Sequence, residues 1–463
     1  MANALDQAFH SAQHWLDGLD DRPVQASVDM ATLKARFAGP LPDHGTPPAD
    51  VLSHLATNAE DGLLGSAGGR FFAWVIGGGL ESALAADWLV STWDQNAALY
   101  GCGPATAVIE EVAGEWLKEL FDLPRESSFA FTTGCQLAHM TCLAVARHAL
   151  LERAGWDVER KGLYSAPPIT VLANAQRHGS IERAVRFLGL GTDSIVPLET
   201  DQSGRIARSS LERALPDLSG PAILVLNAAD LNIGACDLFA ELIPMARAAG
   251  VWVHVDGAFG LYARVSHAKR HLVDGIDLAD SWATDGHKWL NVPYDSGIAI
   301  IRNRQAHKAA MTVSASYIEA ENTARDQIDW NPEWSRRARG VPIYAALKEL
   351  GRAGLEDLID RCCDHCAAIV EGIGALPGAE VLASPSLNQG LVRFSKPDAT
   401  HDENDLYTDA VIARINATGE AFFSGTNWQG RQAMRVSVVN WRTTARDVQR
   451  AIDATACVLS SRR

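Results

Sequence analysis

Between about residues 128 and 302 the chain alternates short, β-branched apolar runs with stretches whose apolar residues recur every three or four positions. That alternation predicts parallel strands joined by crossover helices. The predicted strands are S-F-A-F-T-T from Ser128, I-T-V-L-A-N from Ile169, I-V-P-L from Ile195, A-I-L-V-L-N from Ala222, V-W-V-H-V-D from Val251 and G-I-A-I-I-R from Gly297. Helices are predicted over Gln136 to Glu152, Ser180 to Phe187, Ser209 to Leu215 and Leu238 to Ala249, several opening on a Ser or Asp cap. Two more precede them, over Gly77 to Asn96 and Pro104 to Phe121. Downstream, Pro332 to Lys348 begins a helical connection, and Leu391 to Leu459 reads strand, helix, strand, strand, helix. The pattern therefore predicts an N-terminal helical segment over 1–85, a large doubly wound α/β domain over 86–330 and a small α+β domain over 331–463.

Composition narrows the function classes. With 463 residues, 47% of them hydrophobic, the chain has ample material for buried cores. A formal charge of -15 argues against a nucleic-acid or anionic-membrane surface, since phosphate binding needs clustered Lys and Arg. The substrate is expected to be small. The N-terminus carries acids and no continuous apolar core, and no apolar run is long enough to span a bilayer, so the cytoplasm is the expected compartment. Of the eight cysteines, Cys362, Cys363 and Cys366 cluster in C-C-D-H-C. No second ligand pair follows, and Cys362 and Cys366 share a helical stripe with Leu355, Leu358, Ile359 and Ile369, so these thiols are expected in a core and no metal is expected.

Ligands of an open parallel sheet collect outside the carboxyl ends of its strands, which directs attention to polar residues just after apolar runs. In T-T-G-C-Q, Thr132 to Gln136, a strand turns through Gly134 into a helix whose first N–H groups suit an anion, although an ordinary strand-to-helix turn reads the same way. In V-H-V-D-G-A-F, alternation puts Trp252, His254 and Asp256 on one strand face. Asp256 suits either a ligand or a turn cap, and His254 with Asp256 lacks a third ligand at metal spacing. His178 lies just ahead of a helix expected to be capped by Ser180. Finally, Lys288 in T-D-G-H-K-W-L-N-V-P-Y-D-S-G is followed by Trp289 and Leu290, so its amine is expected to be buried, with a lowered pKa and nucleophilic character. An anion site, a strand-end carboxylate and a buried lysine together meet the needs of pyridoxal phosphate: a phosphate cradle, a partner for the pyridine nitrogen and an amine for the aldehyde.

The chain resembles the pyridoxal-phosphate-dependent group II amino-acid decarboxylases, which include aromatic L-amino-acid, glutamate and histidine decarboxylases. H-V-D-G-A-F-G is similar to their H-V-D-A-A-Y-G block, and A-D-S-W-A-T-D-G-H-K-W-L-N-V-P-Y-D-S-G to their A-D-S…H-K-W-L…D-C-G block. R-F-F-A-W-V, G-P-A-T-A-V-I-E-E-V-A-G-E-W-L and S-R-R-A-R-G extend the likeness over about residues 60 to 350. The resemblance implies the aspartate-aminotransferase-like α/β architecture, fold type I, and a homodimer with an N-terminal segment that packs against the partner. It implies Lys288 as the lysine that carries the cofactor, Asp256 as the partner of the pyridine nitrogen, His178 stacked on one ring face and Ala258 against the other. Gly134, Cys135 and Gln136 would bind phosphate through backbone N–H groups, helped by His287 and by Asp285 or Ser180. Tyr317, 29 residues beyond Lys288, would deliver a proton to Cα.

The chain also departs from the family pattern. The phosphate block T-S-G-G-T-E-A-N appears as T-T-G-C-Q-L-A-H, with Gln136 in place of a hydroxyl, and the segment Ala228 to Asp237 keeps Gly234 and Asp237 but lacks two threonines. Trp74, Val75, Ile76, Leu99 and Tyr100 stand where the family's substrate-facing residues lie, which favours an aromatic or hydrophobic L-amino acid. Trp428 and Arg435 are further candidates to approach the site. Alternatives that keep the cofactor are an aminotransferase, an aldolase-type lyase and a decarboxylating aldehyde synthase; a catalytically silent scaffold is the non-enzymatic alternative.

Overall fold

The computed structural model describes residues 4–313 and 324–461. Within them the chain forms two compact units, Gly79–Cys363 and Met1–Gly78 with Asp364–Arg463. In the first unit each of the six apolar runs is a strand: β1 (Ser128–Thr132), β2 (Thr170–Asn174), β3 (Ile195–Leu198), β4 (Ala222–Asn227), β5 (Trp252–Asp256) and β7 (Gly297–Ile301). The sequence pattern did not reveal β6 (Ser281–Asp285), whose S-W-A-T-D mixes polar and apolar residues, yet all five are buried. A strand covered on both faces must bury its polar residues too, and Ser281 and Asp285 find hydrogen-bonding partners.

The sheet runs β1-β7-β6-β5-β4-β2-β3. β7 is antiparallel to both neighbours, β1 and β6, while β6, β5, β4, β2 and β3 pair in parallel. Thr132, Asn174, Asn227, Asp256 and Asp285, the last residues of five strands, therefore share one edge with Gly297, the first residue of β7. Opposite that edge's centre lies the helix Cys135–Arg153, which packs over β5, β6 and β7. Its Ala138, Cys142, Val145 and Ala146 meet Ala130, Ala283, Ala299 and Ile301 in one core, and the small strand residues let the helix approach closely.

The second unit holds an antiparallel sheet ordered β10-β11-β9-β8, built from β8 (Ala379–Ala383), β9 (Gln389–Phe394), β10 (Ser424–Trp428) and β11 (Arg431–Ser437). Its helices His401–Ala417 and Ala445–Ser460 each open on a capping box, Thr400 with Glu403 and Thr444 with Asp447. N-terminal residues join this unit: Phe71 bridges Phe422 with rings stacked at 5.1 Å. The Arg70 guanidinium, 2% exposed, donates to the carbonyls of Leu19, Asp20, Arg22, Gly419 and Glu420.

The predicted helical connection starts later than its pattern suggested, as Gly340–Gly374, and departs from helical backbone at Gly351, where φ is 59°. A positive φ is tolerated best by glycine, so the chain redirects there. The cysteine stripe is core as expected: Leu355, Leu358, Ile359, Cys362, Cys366 and Ile369 are each at most 1% exposed. S-R-R-A-R-G leads into this helix, with Gly340 its first residue, and Arg336 is buried ahead of it. Its guanidinium forms a two-pronged pair with Glu110 at 2.7 and 2.9 Å, both side chains 0% exposed, and reaches the carbonyls of Ala97 and Phe131.

Removing one member of a buried pair strands the other charge without water. Glu110→Gln is therefore expected to destabilise the large unit by about 3–5 kcal/mol, read as a lower urea midpoint by tryptophan fluorescence; an unchanged midpoint would show that the pair carries no net stability.

Candidate active site

The lysine stretch is a turn from β6 back to β7, anchored from below. Trp289 and Leu290 are fully buried, Gly286 N–H donates to the Ser296 carbonyl at 2.9 Å, and Asn291 N–H donates to the Lys288 carbonyl at 3.1 Å. Lys288 itself is left partly accessible, its side chain 21% exposed, on the sheet edge that collects the strand ends. Its Nζ lies 3.1 Å from Asp285 Oδ2, while Asp285 Oδ1 accepts the Cys135 N–H at 2.6 Å. His287 Nδ1 accepts the Ser296 N–H at 3.1 Å, its Nε2 lies 3.5 Å from Asp285 Oδ1, and its ring stacks on Tyr294 at 4.2 Å. Burial pushes His287 below the usual imidazole range.

The lysine's expected acidity is corrected here. Burial alone would push its pKa down, but the opposing pull of Asp285, with Asp256 behind it, leaves it above the usual lysine value. Two carboxylates outweigh desolvation, so the unmodified side chain is an ammonium.

Asp256 ends β5 in the register opposite Ala283, its side chain 10% exposed. Burial acts to raise its pKa, yet His139, then His178 and Lys288, outweigh that penalty and hold it well below the ordinary carboxylate range. Oδ1 accepts the Ala258 N–H at 3.2 Å and lies 3.5 Å from His139 Nε2. Ala258 is half-buried beside it, its carbonyl accepting the Asp285 N–H at 3.0 Å. His178 is exposed, and it, rather than Ser180, caps the helix Gly179–Phe187: Nδ1 accepts the Ser180 N–H at 3.2 Å and lies 2.7 Å from Ser180 Oγ.

The anion end of the site is narrower than its sequence implied. Cys135 N–H is engaged by Asp285, which leaves Gly134, Gln136 and His287 as the donors expected for phosphate. Gln136 directs its amide toward the Ser180 carbonyl at 3.3 Å. A Cβ on Gly297 would fall 2.3 Å from the Gly134 carbonyl carbon, so the final glycine of D-S-G lets β7 run directly beneath the turn. A Cβ on Gly134 would stand 3.4 Å from His287 Cε1, within the gap between the helix start and the imidazole. A helix start, a lysine and an ionised strand-end acid facing one edge fit the donor set that pyridoxal phosphate requires.

His139 was missed in the sequence because only folding brings the helix Cys135–Arg153 over the end of β5. Cys135, His139 and Asp256 hold one sulfur, one nitrogen and one oxygen within 4.8 Å of one another, a triad of metal-ligand types that no sequence spacing announced. Burial pushes the Cys135 thiol well up, so it is the neutral thiol, a poor metal ligand, that faces His139 Nε2 at 3.3 Å.

Asp237 is structural: its carboxylate, pushed up to about 7 by burial, accepts the Ile206 and Asn227 N–H groups, each at 2.7 Å. Leu99 and Tyr100 are partly buried, with Tyr100 N–H donating to Asp326 at 2.8 Å. Trp74 is 50% exposed, Val75 is buried and Ile76 partly buried in the other unit, where Trp428 and Arg435 are buried on β10 and β11. Tyr317 lies outside the described residues.

The chain is 28% identical over 445 residues to an aromatic-L-amino-acid decarboxylase of Bacillus atrophaeus, covering 94% of this chain and 90% of that one. It is equally 28% identical, over 426 residues, to an L-2,4-diaminobutyrate decarboxylase of Rhizobium meliloti, covering 90% and 83%. The crystal structure of Oryza sativa TDC with PLP and tryptamine superposes with a TM-score of 0.91 at 21% identity, covering 99% of this chain and 98% of that one, so the pyridoxal-phosphate fold type I is shared. Residues 32–396 match the pyridoxal-dependent decarboxylase conserved domain, and the chain belongs to that family.

Proposed function

We propose that this protein removes the carboxylate of an aromatic or other hydrophobic L-amino acid, releasing carbon dioxide and the amine, as a cytoplasmic homodimer with pyridoxal phosphate held by Lys288. The observation that carries the reading is the meeting, on one sheet edge, of Lys288 Nζ at 3.1 Å from Asp285 with the start of the helix Cys135–Arg153 and the ionised Asp256. When bound, the cofactor supplies a ring that accepts the electron pair left on Cα as carbon dioxide departs. Asp256 is assigned to keep a proton on the ring nitrogen, because a buried anion there favours the cationic form. His178, fixed through Nδ1 by its own helix cap, is assigned to one ring face, and Ala258, with only a methyl group, to the other. Tyr317 is assigned as the proton donor to Cα.

The apolar set Trp74, Val75, Ile76, Leu99 and Tyr100, and the likeness to the Bacillus enzyme, favour an aromatic side chain. Diaminobutyrate is the rival substrate that the Rhizobium relative brings. The dimer is supported by the helices Ala4–Asp17, Met30–Phe37 and Pro48–Ala59, which contain no buried residue, although Phe9, Met30, Phe37, Val51 and Leu55 are apolar and exposed on them. Helices of this kind gain stability by covering their apolar faces.

Purified protein is expected to show the visible absorbance of bound pyridoxal phosphate, and Lys288→Ala to lose that band together with turnover. A panel of L-amino acids should give equimolar carbon dioxide and amine from tryptophan, tyrosine or phenylalanine; faster turnover of 2,4-diaminobutyrate would reassign the substrate, and keto acid without carbon dioxide would overturn decarboxylation. Tyr317→Phe is expected to lower amine formation by about 10²–10⁴-fold, the usual contribution of a positioned proton donor, and wild-type amine yield would remove Tyr317 from the mechanism. Light scattering should find two chains per particle, whereas a fully active single chain would refute the dimer.

A further inference from the structure

We infer that His139, held in place by His254 and Ser281, is a positioning residue that keeps Asp256 ionised and turned toward the cofactor's pyridine nitrogen. The inference rests on the assignment of Asp256 to that nitrogen and adds a device behind it. His139 is one helical turn beyond Cys135 and 0% exposed, as is His254, two residues before Asp256 on the same face of β5. Four contacts link them in series. Trp252 Nε1 donates to Ser281 Oγ at 3.0 Å, Ser281 Oγ lies 3.0 Å from His254 Nδ1, His254 Nε2 lies 2.9 Å from His139 Nδ1, and His139 Nε2 lies 3.5 Å from Asp256 Oδ1. The two imidazole planes stand 89° apart, with a nitrogen of one facing a nitrogen of the other.

The two ends give this chain a direction. Indole N–H can only donate, an ionised carboxylate can only accept, and a neutral imidazole has one nitrogen for each role. One arrangement satisfies every member without a net charge on either histidine. Trp252 donates to Ser281, the Ser281 hydroxyl to His254 Nδ1, His254 Nε2–H to His139 Nδ1, and His139 Nε2–H to Asp256. Flipping the tautomer of one histidine alone would set two N–H groups, or two lone pairs, against each other across 2.9 Å. Burial pushes His254 down to about 3, in keeping with a neutral ring. The Cys135 sulfur, 3.3 Å from His139 Nε2, is then a weak second acceptor for the same N–H, which accounts for the sulfur, nitrogen and oxygen cluster by hydrogen bonding.

The consequence for Asp256 is specific. Ala258 N–H and His139 both fall on Oδ1, which leaves Oδ2 as the oxygen for the pyridine nitrogen. Hydrogen bonds to the ionised form favour it, so a relay that can only donate holds the carboxylate in the state that the cofactor needs. Helix and strand carry this support from beneath the site, where water cannot substitute for a lost donor.

The test is pyridoxal-phosphate binding by apoprotein, read as a dissociation constant and as the position of the bound cofactor's absorbance band. His139→Leu removes the donor at similar volume and is expected to weaken binding by at least about tenfold and shift the band, the usual consequence of losing a hydrogen bond to a charged group. His139→Gln, whose amide N–H can stand in for Nε2–H, should stay within about threefold of wild type. Asp256→Ala separates the two assignments: wild-type affinity and band in that variant would remove Asp256 from the ring nitrogen, whereas loss there with wild-type behaviour in His139→Leu would overturn the relay alone. Should His139→Leu fail to fold, ¹⁵N spectra of histidine-labelled wild-type protein at pH 7 decide the matter. Both buried histidines should be neutral with the proton on Nε2, and a proton on His139 Nδ1 or a charged His254 would overturn the proposal.

Discussion

One buried carboxylate, Asp285, joins the parts of the site to one another. It closes β6, accepts the first N–H of the helix Cys135–Arg153 on one oxygen and holds the Lys288 ammonium on the other, at 2.6 and 3.1 Å. Without that acid, the helix start and the lysine would share only the general neighbourhood of a sheet edge. The antiparallel strand β7 completes the arrangement, because its first residue, Gly297, lets the backbone pass directly beneath the Gly134 turn. Backbone proximity of this kind needs a glycine, since any side chain would strike the turn.

Electrostatics divides the work between two strand-end acids. Asp285 is spent on the protein itself, on a helix end and on a lysine. Asp256, at the end of the neighbouring strand, is held ionised chiefly by His139 on a helix, with His178 on a loop and Lys288 beside it. The same acids reverse the simplest expectation for Lys288: burial should make it a weaker base, but two nearby negative charges make it a stronger one.

Much of the candidate site was legible from residues that follow apolar runs. Asp256, Lys288 and Gly134 could be singled out because a doubly wound sheet delivers strand ends to one edge, and the alternating pattern announced such a sheet. β6 was not legible, because S-W-A-T-D lacks a run of apolar residues and its polar members are paid for by partners distant in sequence. His139 was hidden for a related reason. On a helix that is buried along most of its length, nothing in the local pattern distinguishes a histidine aimed at a carboxylate from one that merely fills space.

Most of the element order, the sheet class, the candidate lysine and the family resemblance were determined by the sequence alone, since periodicity and short motifs are properties of neighbouring residues. Tertiary structure decided which groups satisfy one another: that Asp285 takes a helix N–H, that His178 rather than Ser180 caps its helix, and that His139 and His254 line up behind Asp256. Those outcomes depend on distances between segments far apart in the chain. In a buried site each donor takes whichever acceptor the packed backbone brings within reach, and the sequence records only that both are present.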